Sequence, residues 1–333
     1  MINNKEFMNA CNLCPRKCGI DRNNGKKGVC GQTSKIKVAR ASLHMWEEPC
    51  ISGSKGSGTV FFSGCALHCV FCQNHNIANG EAGKEITIGR LVEIFLELQD
   101  KGANNINLVT AGHFVPQIVQ ALKKAKADGL HLPVVYNTSS YESVETLKLL
   151  DGYVDIYLPD LKYVDKELSQ RYSHAPDYFQ RAKEAIEEMV RQTGEMQFAL
   201  ESDMTERGTV RGDGKRNIGI KEYQKRSEQG EELVMTKGVI VRHLLLPGCV
   251  KDSKRVLQYL LEQYGNQIFI SIMNQYTPLP HVASYTELNR KVTTEEYEEV
   301  VDFAVELGIE NGFVQEGEAA VESFIPEFDG RGV

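Results

Sequence analysis

The chain has 333 residues, 41% hydrophobic and 25% charged, an ordinary globular composition with ample apolar content for a buried core. Lys and Arg total 38 against 45 Asp and Glu, a formal charge of −7, and there is no Lys/Arg block, so sequence-independent nucleic-acid binding is a poor match. No apolar run nears the roughly 18 residues of a membrane span, and MINNKEFMNA lacks the apolar core of a secretory signal, so no membrane partner and a cytoplasmic location are expected.

Residues 1–50 are polar, Gly-rich and cysteine-dense, and cannot bury much apolar surface unaided. The chain's nine cysteines stand at 11, 14, 18, 30, 50, 65, 69, 72 and 249, eight of them in the first quarter. An odd, clustered set in a reducing compartment reads as metal ligands rather than disulfides.

From about residue 58 the rhythm changes. Short apolar runs at 59–63 (TVFFS), 106–110 (INLVT), 133–137 (PVVYN), 154–158 (VDIYL), 239–246 (VIVRHLLL) and 268–273 (IFISIM) read as strands buried on both faces. Between them lie amphipathic stretches. Residues 88–100 carry the helical stripe Leu91, Ile94, Phe95 and Leu98, and 115–127, 143–150, 176–192 and 253–263 read similarly. Alternating β and α elements imply parallel strands with right-handed crossovers. Six units are fewer than the eight of a closed barrel. The expected fold is therefore α/β, a partial open (β/α)6 TIM-type barrel over 51–292, with an N-terminal module at 1–50 and a C-terminal helix and tail at 293–333. Residues 196–236, charged and Gly-punctuated, interrupt the rhythm before the fifth strand. They read as an excursion with a hairpin, either a solvated loop or a substrate lid.

The sharpest motif is Cys65-Ala-Leu-His-Cys69-Val-Phe-Cys72, which follows the first strand and the turn residue Gly64. A [4Fe–4S] cluster normally takes four thiolates. A loop that offers three leaves one iron open to bind and transform something, as open zinc sites do. Barrel active sites lie at this end of the strands. A structural zinc or an ordinary electron-transfer cluster would want a fourth ligand nearby.

C-x3-C-x-aromatic-C after a first barrel strand, with Phe71 as the aromatic, resembles the signature of the radical S-adenosylmethionine (SAM) superfamily. The resemblance implies a [4Fe–4S] cluster on Cys65, Cys69 and Cys72 that chelates SAM. It also implies an electron donor such as flavodoxin or ferredoxin, and cleavage of the sulfonium to a 5′-deoxyadenosyl radical that abstracts hydrogen from a substrate.

Other strand ends extend the likeness. Thr110-Ala-Gly112-His113 stands where relatives carry Gly-Gly-Glu for the SAM amino group. Gly112 admits close backbone approach, but His113 replaces the Glu and could equally be a core or surface histidine. Asn137-Thr138-Ser139-Ser140 is similar to the Asp-Thr-Asn-Gly segment of glycyl-radical activating enzymes, with Asn137 in place of Asp. Asp160-Leu-Lys162 matches their Asp-x-Lys, the two side chains sharing one face of the strand; a surface ion pair is the alternative. Arg242 lies inside a strand, where a charge is costly unless paired. Relatives use an Arg here for the SAM carboxylate, and pairing with Asp155 or Asp160 is the competing account.

Cys11-x2-Cys14-x3-Cys18-x11-Cys30 supplies four thiolates for a closed second site, zinc or an auxiliary [4Fe–4S] cluster, whose metal would supply folding energy. CNLCPRKCGIDRNNGKKGVCG, with FFSGC, CQN and the C-terminal FIPEFDG, resembles the pyruvate formate-lyase-activating-enzyme-like group over nearly the whole chain apart from 196–236. That implies hydrogen abstraction from a partner protein of the glycyl-radical type. A small molecule or peptide as substrate, or a non-catalytic iron–sulfur or zinc electron-transfer protein, are the alternatives. Cys50 and Cys249 read as small buried hydrophobes, though Cys50 stands close enough to the barrel to reach its active site.

Overall fold

The structure is a computed structural model that describes residues 4–204, 218–315 and 326–333. Its strands are β1 (Ile36–His44), β2 (Ser57–Phe62), β3 (Lys84–Ile86), β4 (Ile106–Val109), β5 (Val134–Thr138), β6 (Ile156–Pro159), β7 (Gln197–Leu200), β8 (Leu233–Leu244), β9 (Phe269–Met273) and β10 (Gly312–Val314). Among the described residues, β2, β4, β5, β6, β8, β9 and β10 lie side by side and run parallel. β1 is antiparallel to β2, and β3 to β1, at one edge. The outermost strands β10 and β3 do not pair, so the barrel stays open.

The six expected strands are all present. A seventh parallel strand, β10, was hidden by its length, since three residues in a polar stretch carry no periodicity. β1 is the larger difference. The sheet begins at Ile36, inside the segment that the sequence assigns to the N-terminal module. Every residue of β2, β4, β5, β6 and β9 is buried, because helices cover one face and a second core fills the other.

Alternate residues of the strands feed those two cores. Val60, Leu108, Val134, Tyr136, Tyr157, Val241 and Ile270 pack outward against the helices. One of these, Ile88–Asp100, starts on a Thr87 cap that accepts from Arg90 N and buries the expected Leu91, Ile94, Phe95 and Leu98. Val135, Ile156, Leu158, Ile240 and Phe269 point inward and meet Cys50 and Ile51 of the short helix Pro49–Ser52. Phe198 of β7, Met235 of β8 and Tyr223 of the helix Ile220–Glu228 complete this inner core. Tyr223 stacks on Phe198 with ring centroids 4.0 Å apart.

The excursion at 196–236 is therefore neither a solvated loop nor a lid in its described parts. β7 pairs antiparallel with β8 over Leu233–Lys237, just before Gly238 pairs with Ile156 at the start of β6. That is the N-terminal end of the parallel strands, where the excursion plugs the barrel floor. The expected hairpin tip at 205–217 lies outside the described residues. No described helix is long and apolar enough to cross a membrane.

Candidate active site

At the opposite end, where the parallel strands finish, lies a cavity of about 230 Å³. Cys65, Cys69 and Cys72 line it from the loop after β2, Asn137 from β5, Asp160 and Lys162 from the end of β6, and Arg242 from β8. The structure thus brings together seven of the residues singled out from sequence, on four different strand ends.

The cysteine loop is tightly built. Gly64 opens it at φ +90°, and a Cβ there would strike the Cys30 carbonyl and the Gln32 side chain, so only glycine fits. Leu67 and Phe71 are buried, and Phe71 lies edge-on to Tyr163. The thiols themselves face the cavity. Burial, the main cause, pushes Cys69 up to about 11 and Cys72 up to about 12, while Lys162 acts in the opposite sense on both. Among the described residues no three His, Cys, Asp or Glu side chains close on a single-ion geometry. A triplet spread around a cavity, without a fourth thiol beside it, fits a multi-iron cluster with an open corner better than a lone tetrahedral ion.

Beside the thiols runs a buried ion-pair network. Lys162 Nζ donates to Asp160 Oδ2 at 2.7 Å, and Arg242 Nε to Asp160 Oδ1 at 3.0 Å. Arg242 Nη2 also donates to Asn137 Oδ1 at 2.6 Å, and Nη1 to Glu47 Oε2 at 3.2 Å. Asn107 Nδ2 completes the Glu47 carboxylate at 3.0 Å. Burial acts to raise the Asp160 pKa, yet the Lys162 and Arg242 charges hold it below the ordinary carboxylate range. Burial likewise opposes the Lys162 ammonium, but Asp160 and then Cys69 hold its pKa above the usual lysine value. Arg242 is thus saturated by two carboxylates and an amide. Of the two accounts read from sequence, pairing with Asp160 is the one the geometry contains, and Asp155 instead caps Val134 N.

Gly112 and His113 do not line the cavity. The His113 ring is buried, with Nε2 2.7 Å from the Ser63 carbonyl, and burial first, then Arg22, lowers its pKa to about 3. It is a neutral core histidine. Gly112 makes room for a side chain of the protein rather than for a ligand, since a Cβ there would lie 2.5–2.9 Å from the Glu142 carboxyl group. Glu142 accepts from Thr138 Oγ1 at 2.7 Å and Tyr136 OH at 3.2 Å, and its burial raises it to about 7. Thr110 faces the cavity instead, at φ +58°, a strained conformation for a β-branched residue.

Several lining residues had no usable sequence signal. His44 reaches the cavity from the end of β1, Trp46 and Glu47 from the turn after it, and Pro326 from the C-terminal tail. Glu47 meets Arg242 across 195 positions of sequence, which only the fold reveals. Cys50, two residues beyond Glu48, is buried in the inner core, and that burial raises its thiol pKa. It does not reach the cavity. Cys249 precedes the helix Val250–Tyr264 and is pushed up to about 12 by burial.

Of the N-terminal cysteines, Cys18 and Cys30 flank Gly28, where a Cβ would lie 3.4 Å from Cys18 Sγ and 3.7 Å from Cys30 Sγ. Cys11, Cys14 and Cys30 are buried. Burial, the largest influence, drives Cys14 up to about 12, and the charges of Cys30 and Cys11 add to it. Arg22 is fully buried beside them, its Nη1 2.7 Å from the His113 carbonyl and 3.7 Å from Cys11 Sγ, while its Nε has no partner. Among the described residues no carboxylate balances this guanidinium. Thiolates at Cys11 and Cys30 would, and thiolates are what a bound metal enforces. The charge of the donor set suits a metal in that respect, while among the described residues these four thiols do not close on a single-ion geometry either.

The radical SAM superfamily model matches residues 59–195. An uncharacterised protein of Methanocaldococcus jannaschii, MJ0674, is 26% identical over 311 residues, which are 90% of this chain and 75% of that one. The pyruvate formate-lyase-activating enzyme of Clostridium pasteurianum is 31% identical over 117 residues, 32% of this chain and 46% of that enzyme. Among solved structures, Streptococcus suis SuiB bound to S-adenosylmethionine gives a TM-score of 0.46 at 15% identity, over 77% of this chain and 49% of SuiB. A domain of a Bacteroides vulgatus pyruvate-formate lyase-activating enzyme gives 0.33 at 11% identity, over 61% of this chain and 91% of that domain. The chain therefore spans about half of SuiB and less than half of the clostridial activating enzyme.

Proposed function

From the premise that residues 59–195 form a radical SAM domain, we propose that this enzyme cleaves S-adenosylmethionine reductively and abstracts hydrogen from the backbone of a partner protein. The observation that carries the proposal is the convergence of Cys65, Cys69 and Cys72 with Asp160, Lys162 and Arg242 on one cavity at the strand ends. With a [4Fe–4S] cluster and SAM bound, an electron supplied through a flavodoxin or ferredoxin would break the sulfonium bond and yield the 5′-deoxyadenosyl radical.

The chain's own residues divide the work. The three cysteines would hold the cluster. Lys162, beside Cys69 and Cys72, offsets thiolate charge and offers N–H groups to the anionic end of SAM. Asp160 fixes Lys162 and presents a carboxylate to an amino group. Arg242 acts through Asp160 and Asn137, holding both in place, rather than gripping SAM itself. Thr110, Thr138 and Ser139 supply further polar contacts along the wall. The inner core lies beneath them at the opposite end of the strands. Cys11, Cys14, Cys18 and Cys30 hold a second metal that orders the N-terminal segment, zinc or an auxiliary cluster, which metal and sulfide analysis distinguishes.

Anaerobically reconstituted protein given dithionite and SAM should release 5′-deoxyadenosine. A protein that takes up iron but releases none is an electron-transfer module, and the proposal falls. The partner-protein substrate is supported by the likeness to an activating enzyme. A glycyl-radical doublet in the paramagnetic resonance spectrum of an added glycyl-radical-type protein would sustain it. Deuterium transfer into 5′-deoxyadenosine from a peptide or small metabolite, without that doublet, would replace it.

A further inference from the structure

Ser173 Oγ donates to Cys69 Sγ at 3.1 Å, and Tyr163 OH lies 3.0 Å from Ser173 Oγ. Because the serine hydrogen points to sulfur, the tyrosine donates to the serine. Both residues are fully buried or nearly so, at 0% and 1% exposure, so water cannot substitute for either bond. This two-step relay ends on one of the three thiols that face the cavity. A hydrogen bond to a cluster thiolate stabilises the more negative, reduced state and raises the reduction potential.

The relay spans two pieces of chain, and one side chain holds them together. Ser173 ends the helix Lys166–Ser173, which is terminated by His174 at φ +50°. Arg16 Nη2 donates to the Ser173 carbonyl at 3.1 Å and Nη1 to the His174 carbonyl at 2.7 Å. The same guanidinium donates from Nε to the Ala66 carbonyl at 2.9 Å and from Nη2 to the Leu67 carbonyl at 3.3 Å, both in the cysteine loop. A guanidinium at a helix C-terminus satisfies carbonyls that have no partner within the helix. Here it also sets the spacing between the helix end and Cys69. Arg16 sits between Cys14 and Cys18, and the N-terminal segment grips the loop at a second point, where His68 Nε2 lies 2.7 Å from the Val29 carbonyl.

We propose that Arg16 is a positioning residue that keeps the Tyr163–Ser173–Cys69 relay closed, and that this relay tunes the reduction potential of the cluster at Cys65, Cys69 and Cys72. The inference rests on the radical SAM reading above and adds to it a function for the N-terminal segment in the electron step.

The test uses the full-length reconstituted protein and reads iron per chain and the midpoint potential, by dye-mediated titration followed in the paramagnetic resonance spectrum. Ser173→Ala should keep its iron and shift the potential downward. Arg16→Gln should shift it in the same direction, and the double variant should go no lower than Ser173→Ala alone. Tyr163→Phe approaches the relay from its far end, and should give a smaller downward shift even if Arg16→Gln folds poorly. A purely structural contribution would change melting temperature and leave the potential in place. Wild-type potentials in Ser173→Ala and Tyr163→Phe, with iron retained and SAM cleavage intact, would overturn the relay alone. A wild-type protein that assembles no cluster would overturn the radical SAM reading and this inference with it.

Discussion

The two cysteine sets of this chain use the same side chain in opposite surroundings. The barrel triplet faces a cavity, beside a lysine, an arginine and an aspartate that are already paired with one another. In the N-terminal quartet Cys18 and Cys30 flank Gly28, Met8, Leu13 and Ile20 pack with Cys11, and a buried arginine touches Cys11. A thiol set open to a cavity can present a metal to a ligand, while an enclosed one of four has no open position to offer. The surroundings of the sulfur atoms thus point the same way as their number, three thiols in the barrel loop against four in the N-terminal segment.

The strongest way to break that comparison is to remove each set separately. Replacement of Cys65, Cys69 and Cys72 by Ala should abolish 5′-deoxyadenosine release and leave the N-terminal metal in place. Replacement of Cys14 and Cys18 should instead remove the N-terminal metal and loosen residues 1–35 to proteolysis. Metal analysis and 5′-deoxyadenosine assays on both variants check this. Loss of SAM cleavage in the first variant together with loss of both metals would mean that the two sets are one folding unit.

Gly64 is where the two regions touch, and it offers the next largest effect. Its φ of +90° and its contact with the Cys30 carbonyl leave no room for a methyl group. Gly64→Ala should cost about 2–4 kcal/mol, from the left-handed conformation and the overpacking together. Thermal melts read the cost, and iron per chain shows whether the strain falls on the cysteine loop. An unchanged melting temperature would mean that the N-terminal segment is free to move away from the barrel.

How far the sequence foretold all this varies with the range of the interactions. The six parallel strands were legible because burial on both faces turns each into an apolar run such as TVFFS or IFISIM. The triplet was legible because its three residues lie within one loop. β1 was not, since Ile36-Lys-Val38-Ala-Arg40 is a half-exposed antiparallel strand whose alternation is broken by the irregular register at Val38 and Arg40. Gly112 shows how a local rule misleads. Its lack of a side chain marked close approach correctly, but the approaching group is Glu142, thirty positions on, rather than a ligand. Glu47 and Arg16 meet partners distant in sequence, as Ser173 does at Cys69, and no spacing pattern announces them.

Glu142 provides the smallest and most selective probe, because it lies between the regions, on Thr138 of the cavity wall and near Cys14 of the quartet. Burial raises its carboxyl to about 7 in the folded protein, against 4.5 as its ordinary value. The folded state therefore binds its proton more tightly than the unfolded chain does. That contribution to stability is complete below about pH 4.5 and is lost as pH rises through 7. Glu142→Gln keeps an acceptor for Tyr136 and Thr138 but carries no titrating group. Denaturant unfolding between pH 5 and 8 should show wild type losing stability relative to this variant as pH rises. Parallel curves would show that Glu142 titrates in the folded protein as it does in the unfolded chain, and that its burial does not raise it.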